Sequence, residues 1–316
     1  MTTDQTPAEP IERAHEWAVI LAGGDGTRLR PLTRKISGDD RPKQFCAVLG
    51  RATLLEETER RTALEIAREQ TIYVVNRRHE AYYAPMLGSE SANLIVQPCN
   101  CGTAPAILYS LLRIAAVDPH ALVAFFPSDH YISDNCRFMK HVRTALDAAR
   151  RRPDLVVLLG VAPESPEVEY GWIEPSGHIP GNRQLRAVRR FWEKPNHFTA
   201  QVLQLRGCLW NSFVMIASAQ ALLEIIHATI PELYRSFAAL TSLFGTSEEV
   251  AAIETLYAGL KEINFSHEVL TESTQRLALI EVTGVHWNDL GEPQRVMASL
   301  TMAGLRPQWA KATAPA

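Results

Sequence analysis

Short, continuous runs of apolar residues recur along the first half of the chain, and between them apolar side chains recur every three or four residues. Continuous runs rich in branched and aromatic residues are typical of strands buried on both faces, and the wider spacing is typical of helices packed on them. The runs predict strands at residues 17–21, 71–75, 94–97, 122–126 and 155–160. The spacing predicts helices at 53–68, 79–87, 103–117 and 137–151.

This alternation of strand and helix predicts right-handed βαβ units, and therefore an α/β fold of the Rossmann-like kind. We expect an open, mostly parallel sheet flanked by helices. In such sheets ligands bind beyond the carboxyl ends of the strands.

The pattern changes after about Pro163. Residues 170–193 predict a strand, a turn formed by Pro175, Ser176 and Gly177, and a return strand over 185–193. Further elements are predicted at 209–217 (strand), 219–229, 232–243 and 248–260 (helices) and 277–282 (strand). We expect one domain at 15–304, with a first half at 15–162, a second half at 163–304, and short tails at 1–14 and 305–316.

Composition narrows the functional classes. The chain has 316 residues, of which 46% are hydrophobic, and a formal net charge of -3. That charge favours neither nucleic acid nor an anionic membrane as a partner. No apolar run approaches the roughly 20 residues of a membrane span, and the polar start MTTDQTPAEP does not resemble a signal peptide, so we expect a cytoplasmic protein. Five scattered cysteines predict neither a disulfide nor a structural metal.

A glycine-rich loop follows the first predicted strand. Gly23, Gly24 and Gly26 would let backbone N–H groups approach a ligand closely, and Arg28 and Lys43 add positive charge. The loop lacks the Gly-Lys-Ser/Thr end of a Walker A sequence and the third glycine of a dinucleotide fingerprint. The pattern therefore indicates a polyphosphate site of another kind.

Two aspartates are candidates for metal binding. Asp129 follows a buried strand, and Asp289 follows the last one. A carboxylate beside phosphates would repel them unless a hard cation such as Mg2+ lay between. Spacing alone also allows each aspartate to be a helix cap or a turn residue.

Eight short motifs share one order along the chain, and the series resembles the sugar-1-phosphate nucleotidyltransferases, most of all the mannose-1-phosphate guanylyltransferases. The resemblance extends from Trp17 to about Val296. The motifs are GGDGTRLRPLT from Gly23, PKQF from Pro42, QPCNCGTAPAI from Gln97, PSDH from Pro127, YGWIE from Tyr170, FWEKP from Phe191, WNS from Trp210 and WNDLG from Trp287.

The resemblance implies an activity, a glycosyltransferase-A-like fold with a nucleotide-binding first half and a sugar-binding second half, and a set of site residues. The reaction would join an NTP to a sugar 1-phosphate and release pyrophosphate, with GTP and mannose 1-phosphate as the leading pair. The implied nucleotide-binding residues are Gly23, Gly24, Gly26, Thr27, Gln97, Gly102 and Thr103. Arg28, Lys43 and Lys194 would be catalytic, the first two by contacting the β- and γ-phosphates. Gly171, Glu193, Lys194 and Asn211 would hold the sugar phosphate, and Asp129 and Asp289 would hold Mg2+.

Two departures from the guanylyltransferase pattern keep alternatives open. Gln97 stands where the guanylyltransferases have glutamate, and a glutamine here resembles the thymidylyltransferases. Phe213 stands where the guanylyltransferases have glycine. The alternatives are an enzyme that uses glucose 1-phosphate with dTTP or UTP, and a catalytically silent homologue that binds a nucleotide sugar and regulates a partner. The retained charged residues favour an enzyme. We expect a structural role for His130, and a homo-oligomer stays open.

Overall fold

The computed structural model describes residues 13–88 and 93–311. Eleven strands, β1 to β11, are assigned in this part of the chain. In chain order they are Glu16–Leu21, Thr71–Asn76, Leu94–Gln97, Leu122–Pro127, Tyr131–Ile132, Val156–Val161, Gly171–Ile179, Asn182–Glu193, Leu209–Ser218, Leu277–Val282 and Trp287–Asn288.

The α-helices of the same residues are numbered α1 to α11. In chain order they are Arg30–Ser37, Leu54–Thr62, Glu80–Leu87, Thr103–Val117, Asn135–Arg151, His197–Leu205, Ala219–Thr229, Pro231–Ala238, Glu249–Ala258, Pro293–Met302 and Gln308–Lys311. Within the described residues no helix is long and apolar enough to cross a membrane.

Nine strands form one sheet in the order β3-β2-β1-β4-β9-β6-β10-β8-β7. The strands β3, β2, β1 and β4 run parallel, and Leu21 at the end of β1 lies opposite Val74 of β2 and Pro127 of β4. The loops after β1 and β4 therefore leave the sheet at the same edge. The expected open sheet flanked by helices is confirmed.

The second half of the sheet is largely antiparallel. Strand β9 runs antiparallel between β4 and β6, and β8 and β7 pair antiparallel at the far edge. Only β6 and β10 are parallel neighbours in this half, among the described strands.

Two buried clusters cover the two faces of the sheet. Ala18 and Ile20 belong to one cluster, which also contains residues of α5, whereas Val19 belongs to the other, together with residues of α4. Successive side chains of a strand point to opposite faces, so the alternation along β1 places one helix layer on each side.

The prediction of a turn at Pro175–Gly177 is wrong. Strand β7 continues to Ile179, with register irregularities at Glu174, Pro175 and His178, and the chain turns only at Pro180. Beyond Ile173, β7 pairs only with β8 among the described strands, and the register is irregular on both sides of Pro175. Edge positions and irregularities of this kind are where sheets accommodate proline.

Two other expected boundaries also differ. The helix expected at 53–68 ends at Thr62, where the backbone tightens and buries Ile66 while Leu64 stays exposed. The helix expected at 232–243 ends at Ala238, and a separate 3-10 turn covers Thr241–Leu243.

The C-terminal segment contacts the rest of the chain through Trp309. The chain beyond Leu305 contains α11, and the Trp309 indole donates to the Val48 carbonyl at 3.2 Å. Part of the segment at 305–316 therefore forms a short helix whose Trp309 contacts Val48. Residues 1–12 of the expected N-terminal tail lie outside the described residues.

Candidate active site

A cavity of about 380 Å3 lies at the carboxyl ends of β1, β3 and β4, and residues of the second half of the chain line its other side. This volume falls within the range of small-molecule sites. Ten of the sequence-predicted site residues line it: Gly23, Gly24, Gln97, Gly102, Thr103, Asp129, Gly171, Glu193, Asn211 and Asp289. Five do not: Gly26, Thr27, Arg28, Lys43 and Lys194.

Gln44 fixes the glycine loop. Its Nε2 donates to the carbonyls of Ala22 at 3.0 Å and Gly24 at 2.7 Å, and the side chain is buried. Because these carbonyls are held from behind, the loop keeps its shape without a ligand. Sequence reasoning named the PKQF motif for Lys43 and missed Gln44, although a glutamine beside a core phenylalanine was a usable signal.

The two basic residues expected to hold phosphates are both engaged with acidic groups. Arg28 Nη1 lies 3.0 Å from Glu169 Oε2, and both side chains are about half exposed. An exposed pair of this kind contributes little to stability, so a phosphate could displace Glu169. Lys43 is buried, and its Nζ lies 3.2 Å from Asp129 Oδ2.

The aspartates, 160 residues apart in sequence, converge on the same ammonium group. Lys43 Nζ also donates to the backbone carbonyl of Asp289 and, at 3.3 Å, to that of Leu290. The two-stranded pairing of β5 with β11 explains the approach, because Asn288 lies opposite Tyr131, two residues beyond Asp129.

The Asp289 carboxylate is held from one side. Its Oδ1 accepts from Tyr170 Oη at 2.8 Å, Arg295 Nη1 at 2.9 Å and the Gly291 N–H at 2.9 Å. Burial would raise the pKa of Asp289, but Lys43, His130, Tyr170 and Arg295 outweigh it and lower that pKa below its ordinary value. Asp289 is therefore a carboxylate at neutral pH.

Tyr170 and Arg295 are site residues that the sequence did not reveal in these roles. Burial, then Asp289, raises the pKa of Tyr170, so its hydroxyl stays protonated and donates. Arg295 also reaches Glu167 Oε2 at 2.6 Å. No motif signalled Arg295, since it lies in the first turn of α10, beyond the WNDLG sequence.

The carboxylate oxygens of Asp129 and Asp289 are suitable ligands for Mg2+. Asp289 Oδ2 accepts no hydrogen bond from any described residue, and Asp129 offers a second carboxylate. Within residues 13–88 and 93–311, no group of three or more His, Cys, Asp or Glu side chains could hold a metal. Two carboxylates completed by phosphate oxygens and water are a usual way for proteins to bind Mg2+.

The His130 ring is largely buried and neutral. Burial lowers the pKa of His130 to about 4. Its ring meets Trp287 edge-on with centroids 5.1 Å apart, and its Nε2 lies 3.7 Å from Asp129 Oδ1. A neutral imidazole packed in this way shapes the wall beside Asp129.

The opposite wall carries the residues expected to hold the sugar phosphate. Glu193 lies opposite Gly171 in the pairing of β8 with β7, and Asn211 lies on β9. Burial raises the pKa of Glu193, and the adjacent Lys194 partly offsets this. Lys194 itself is exposed and outside the cavity lining.

Three non-glycine residues have positive φ within the described chain, and all three lie beside site residues. They are Lys194 at 44°, Phe213 at 60° and Leu290 at 50°. Such backbone costs of order 1–3 kcal/mol each and persists where the surroundings impose it, commonly at functional sites. The Phe213 N–H donates to Asn211 Oδ1 at 3.1 Å, so the strained turn also orients Asn211.

Comparisons with known proteins agree with this geometry. The model of the family described as nucleotidyl transferase matches residues 17–301. The chain belongs to the nucleotidyl transferase family.

Individual relatives refine the placement of this chain within the family. It is 30% identical to mannose-1-phosphate guanylyltransferase 2 of Escherichia coli O157:H7, over 88% of this chain and 58% of that protein. It is 29% identical to the alginate biosynthesis protein AlgA of Pseudomonas syringae pv. tomato, over 86% of this chain and 56% of that protein. The chain thus spans a little over half the length of these relatives.

A solved structure also superposes well. The crystal structure of mannose-1-phosphate geranyltransferase from Thermus thermophilus is 29% identical and has a TM-score of 0.75. The match covers 88% of this chain and 76% of that one.

Proposed function

We propose that this nucleotidyl transferase joins an NTP to a sugar 1-phosphate and releases pyrophosphate, with GTP and mannose 1-phosphate as its preferred pair. The observation that carries the proposal is the meeting of Asp129 and Asp289 at Lys43, beside a cavity between the glycine loop and the Glu193 wall. The name of the E. coli relative supports the choice of pair.

Each half of the chain would bind one substrate. In the first half, residues 15–162, the nucleotide would lie against Gly23, Gly24, Gln97, Gly102 and Thr103, with Gly26 and Thr27 shaping the loop. In the second half, residues 163–304, the sugar phosphate would lie against Gly171, Glu193 and Asn211, with Lys194 reaching in from the rim.

The reaction needs no protein nucleophile. A phosphate oxygen of the sugar 1-phosphate, already ionised at neutral pH, forms a bond to the α-phosphorus, and the bond from that phosphorus to pyrophosphate breaks. The protein must bring two anions together and stabilise the charge that builds on pyrophosphate. Lys194 would neutralise the incoming phosphate.

The departing pyrophosphate would be stabilised from the first half. Arg28 would exchange Glu169 for a phosphate, and Lys43 would supply charge from the Asp129 side of the cavity. Asp129 and Asp289 would hold Mg2+, which when bound neutralises phosphate charge. Tyr170 and Arg295 would keep Asp289 in place.

Pyrophosphate release across a matrix of the common NTPs and hexose 1-phosphates, with Mg2+ present, tests this function. We expect the highest kcat/KM with GTP and mannose 1-phosphate. The neutral amide of Gln97 favours a second candidate, glucose 1-phosphate with dTTP or UTP, and a maximum there would select it. Binding of a nucleotide sugar without any pyrophosphate release would overturn the proposal.

A further inference from the structure

A hydrogen bond between the two halves of the chain ends at Gln97, in the wall of the cavity. Tyr257 Oη, on α9, donates to Gln97 Oε1, at the end of β3, over 3.1 Å. Both side chains are almost fully buried, with exposures of 1% and 3%. We propose that Tyr257 is a positioning residue, which orients the Gln97 amide so that its Nε2 selects bases with a keto oxygen at the edge facing it.

The inference rests on the proposed function in one respect, namely that Gln97 contacts the nucleotide base. It goes further in naming the residue that decides whether Gln97 presents its amide oxygen or its amide nitrogen to the base. A free glutamine can offer its oxygen or its nitrogen to a ligand, because the two ends of the amide are nearly equal in shape.

The buried hydroxyl removes this freedom. Burial, the largest cause, raises the pKa of Tyr257, so the phenol stays protonated. Its single hydrogen then requires an acceptor, and Gln97 Oε1 is that acceptor. If the amide turned over, the hydroxyl would lose this acceptor, and a buried donor without a partner is costly.

The nitrogen is left facing the loop. A Cβ placed on Gly23 would lie 2.6 Å from Gln97 Nε2, so this nitrogen occupies the space that the missing side chain leaves. None of the described residues accepts a hydrogen bond from it, and Gly23 and Gln97 line the same cavity. The amide N–H groups are thus available to a ligand beside the glycine loop.

A donor at this point distinguishes two classes of base. Guanine, hypoxanthine, uracil and thymine carry a keto oxygen on the edge where adenine and cytosine carry an amino group. The keto oxygen accepts from Gln97 Nε2, whereas an amino group would leave two donors facing each other. Sites built on such a hydrogen bond reject the wrong group strongly.

Equilibrium binding of ITP and ATP tests the inference, because these purine nucleotides differ at the six-position edge. We would measure both dissociation constants by calorimetry with the wild-type chain, Tyr257→Phe and Tyr109→Phe. Tyr109 is a matched control, since it is a buried tyrosine whose hydroxyl donates to Glu249 at the start of α9, away from the cavity.

We expect the wild type to bind ITP at least about tenfold more tightly than ATP, a ratio that one lost hydrogen bond would remove. Tyr257→Phe should bring the ratio close to one, because the amide can then turn over, and Tyr109→Phe should leave it unchanged. An unchanged ratio in Tyr257→Phe, or no ITP preference in the wild type, would overturn the inference.

Gln97→Glu provides a second test should Tyr257→Phe not fold. Tyr257 would donate to one carboxylate oxygen, and the other would accept from an amino group, so the preference should move toward ATP. A retained ITP preference would contradict the inference. Binding needs no turnover, so a chain that releases no pyrophosphate but shows these shifts would refute only the proposed reaction.

Discussion

At the scale of single residues, Asp289 and Asp129 are held differently although both face the same cavity. Asp289 has one oxygen committed to three donors, whereas Asp129 contacts the Lys43 ammonium. A carboxylate fixed as Asp289 is can bind a cation without first reorganising.

Replacing either carboxylate should remove metal-dependent turnover. Asp129→Asn and Asp289→Asn keep the size of the side chain but remove its charge, so we expect kcat with Mg2+ to fall by at least about 100-fold. Steady-state rates across a Mg2+ titration check this. Asp134→Asn is the control, since Asp134 caps α5 through the Arg137 N–H and asparagine caps equally well. Full turnover in Asp129→Asn at saturating Mg2+ would contradict the assignment.

Glu193 should cost stability at neutral pH. Because burial raises its folded pKa above the ordinary value of 4.5, the protonated form is favoured in the folded state. Its stabilising contribution is complete below that ordinary value and is lost as the pH rises through the raised folded pKa.

As the pH rises from 4 to 7, the stability of the non-titrating variant Glu193→Gln should therefore increase relative to that of the wild type. Urea unfolding at pH 4 and at pH 7 gives the difference in the free energy of unfolding between variant and wild type. Comparing this difference at the two pH values cancels the pH-independent effects of the substitution. An equal difference at both pH values would show that Glu193 titrates normally.

At the scale of elements, the start of α4 is joined to the loop before residue 266. Ile263 and Cys101 pair through their backbones at 3.0 Å, and the Phe265 N–H donates to Thr103 Oγ1 at 2.9 Å. Gly102 lies between these contacts with φ of +85°, and a Cβ there would clash with the Ile263 carbonyl group.

Gly102→Ala should accordingly destabilise the fold. It combines an unfavourable backbone conformation with a clash against backbone atoms, for which we expect a loss of about 2–4 kcal/mol in the free energy of unfolding. Urea denaturation checks this. Gly177→Ala serves as the control, because nothing lies within 4 Å of its added Cβ. A Gly102→Ala variant as stable as Gly177→Ala would disprove the packing argument.

The strands could be predicted because each is a continuous apolar run, and burial on both faces demands such runs. The extension of β7 through Pro175 could not be predicted, because these residues normally form turns and belong to a strand here only through their place at the edge of the sheet. Within the site, the motifs indicated Asp129 and Asp289. The partners that hold Asp289 are Tyr170 and Arg295. Tyr170 lies 119 residues away in the sequence, and local spacing does not encode such a contact.

At the scale of the whole molecule, one sheet carries both walls of the cavity. The parallel strands β1, β3 and β4 present the glycine loop, Gln97 and Asp129, and the antiparallel strands β8 and β9 present Glu193 and Asn211. The strained backbone at Phe213 and Lys194 lies on the second wall. Each wall should therefore respond to its own substitutions.

Lys194→Ala and Arg28→Ala should separate the two substrates. Both side chains are exposed, so their removal should leave the fold intact. Lys194→Ala should raise KM for the sugar 1-phosphate about tenfold or more with little effect on KM for the NTP, and Arg28→Ala should do the reverse. Steady-state kinetics with each substrate varied in turn check this. Equal changes in both KM values for one variant would refute separate walls.

The most direct test of nucleotidyl transfer is to follow both products of GTP and mannose 1-phosphate by chromatography, with Mg2+ present. We expect GDP-mannose and pyrophosphate to form in equal amounts and to cease forming when a chelator is added. Formation of GDP and phosphate, or the absence of GDP-mannose while GTP is consumed, would contradict attack of the sugar phosphate on the α-phosphorus.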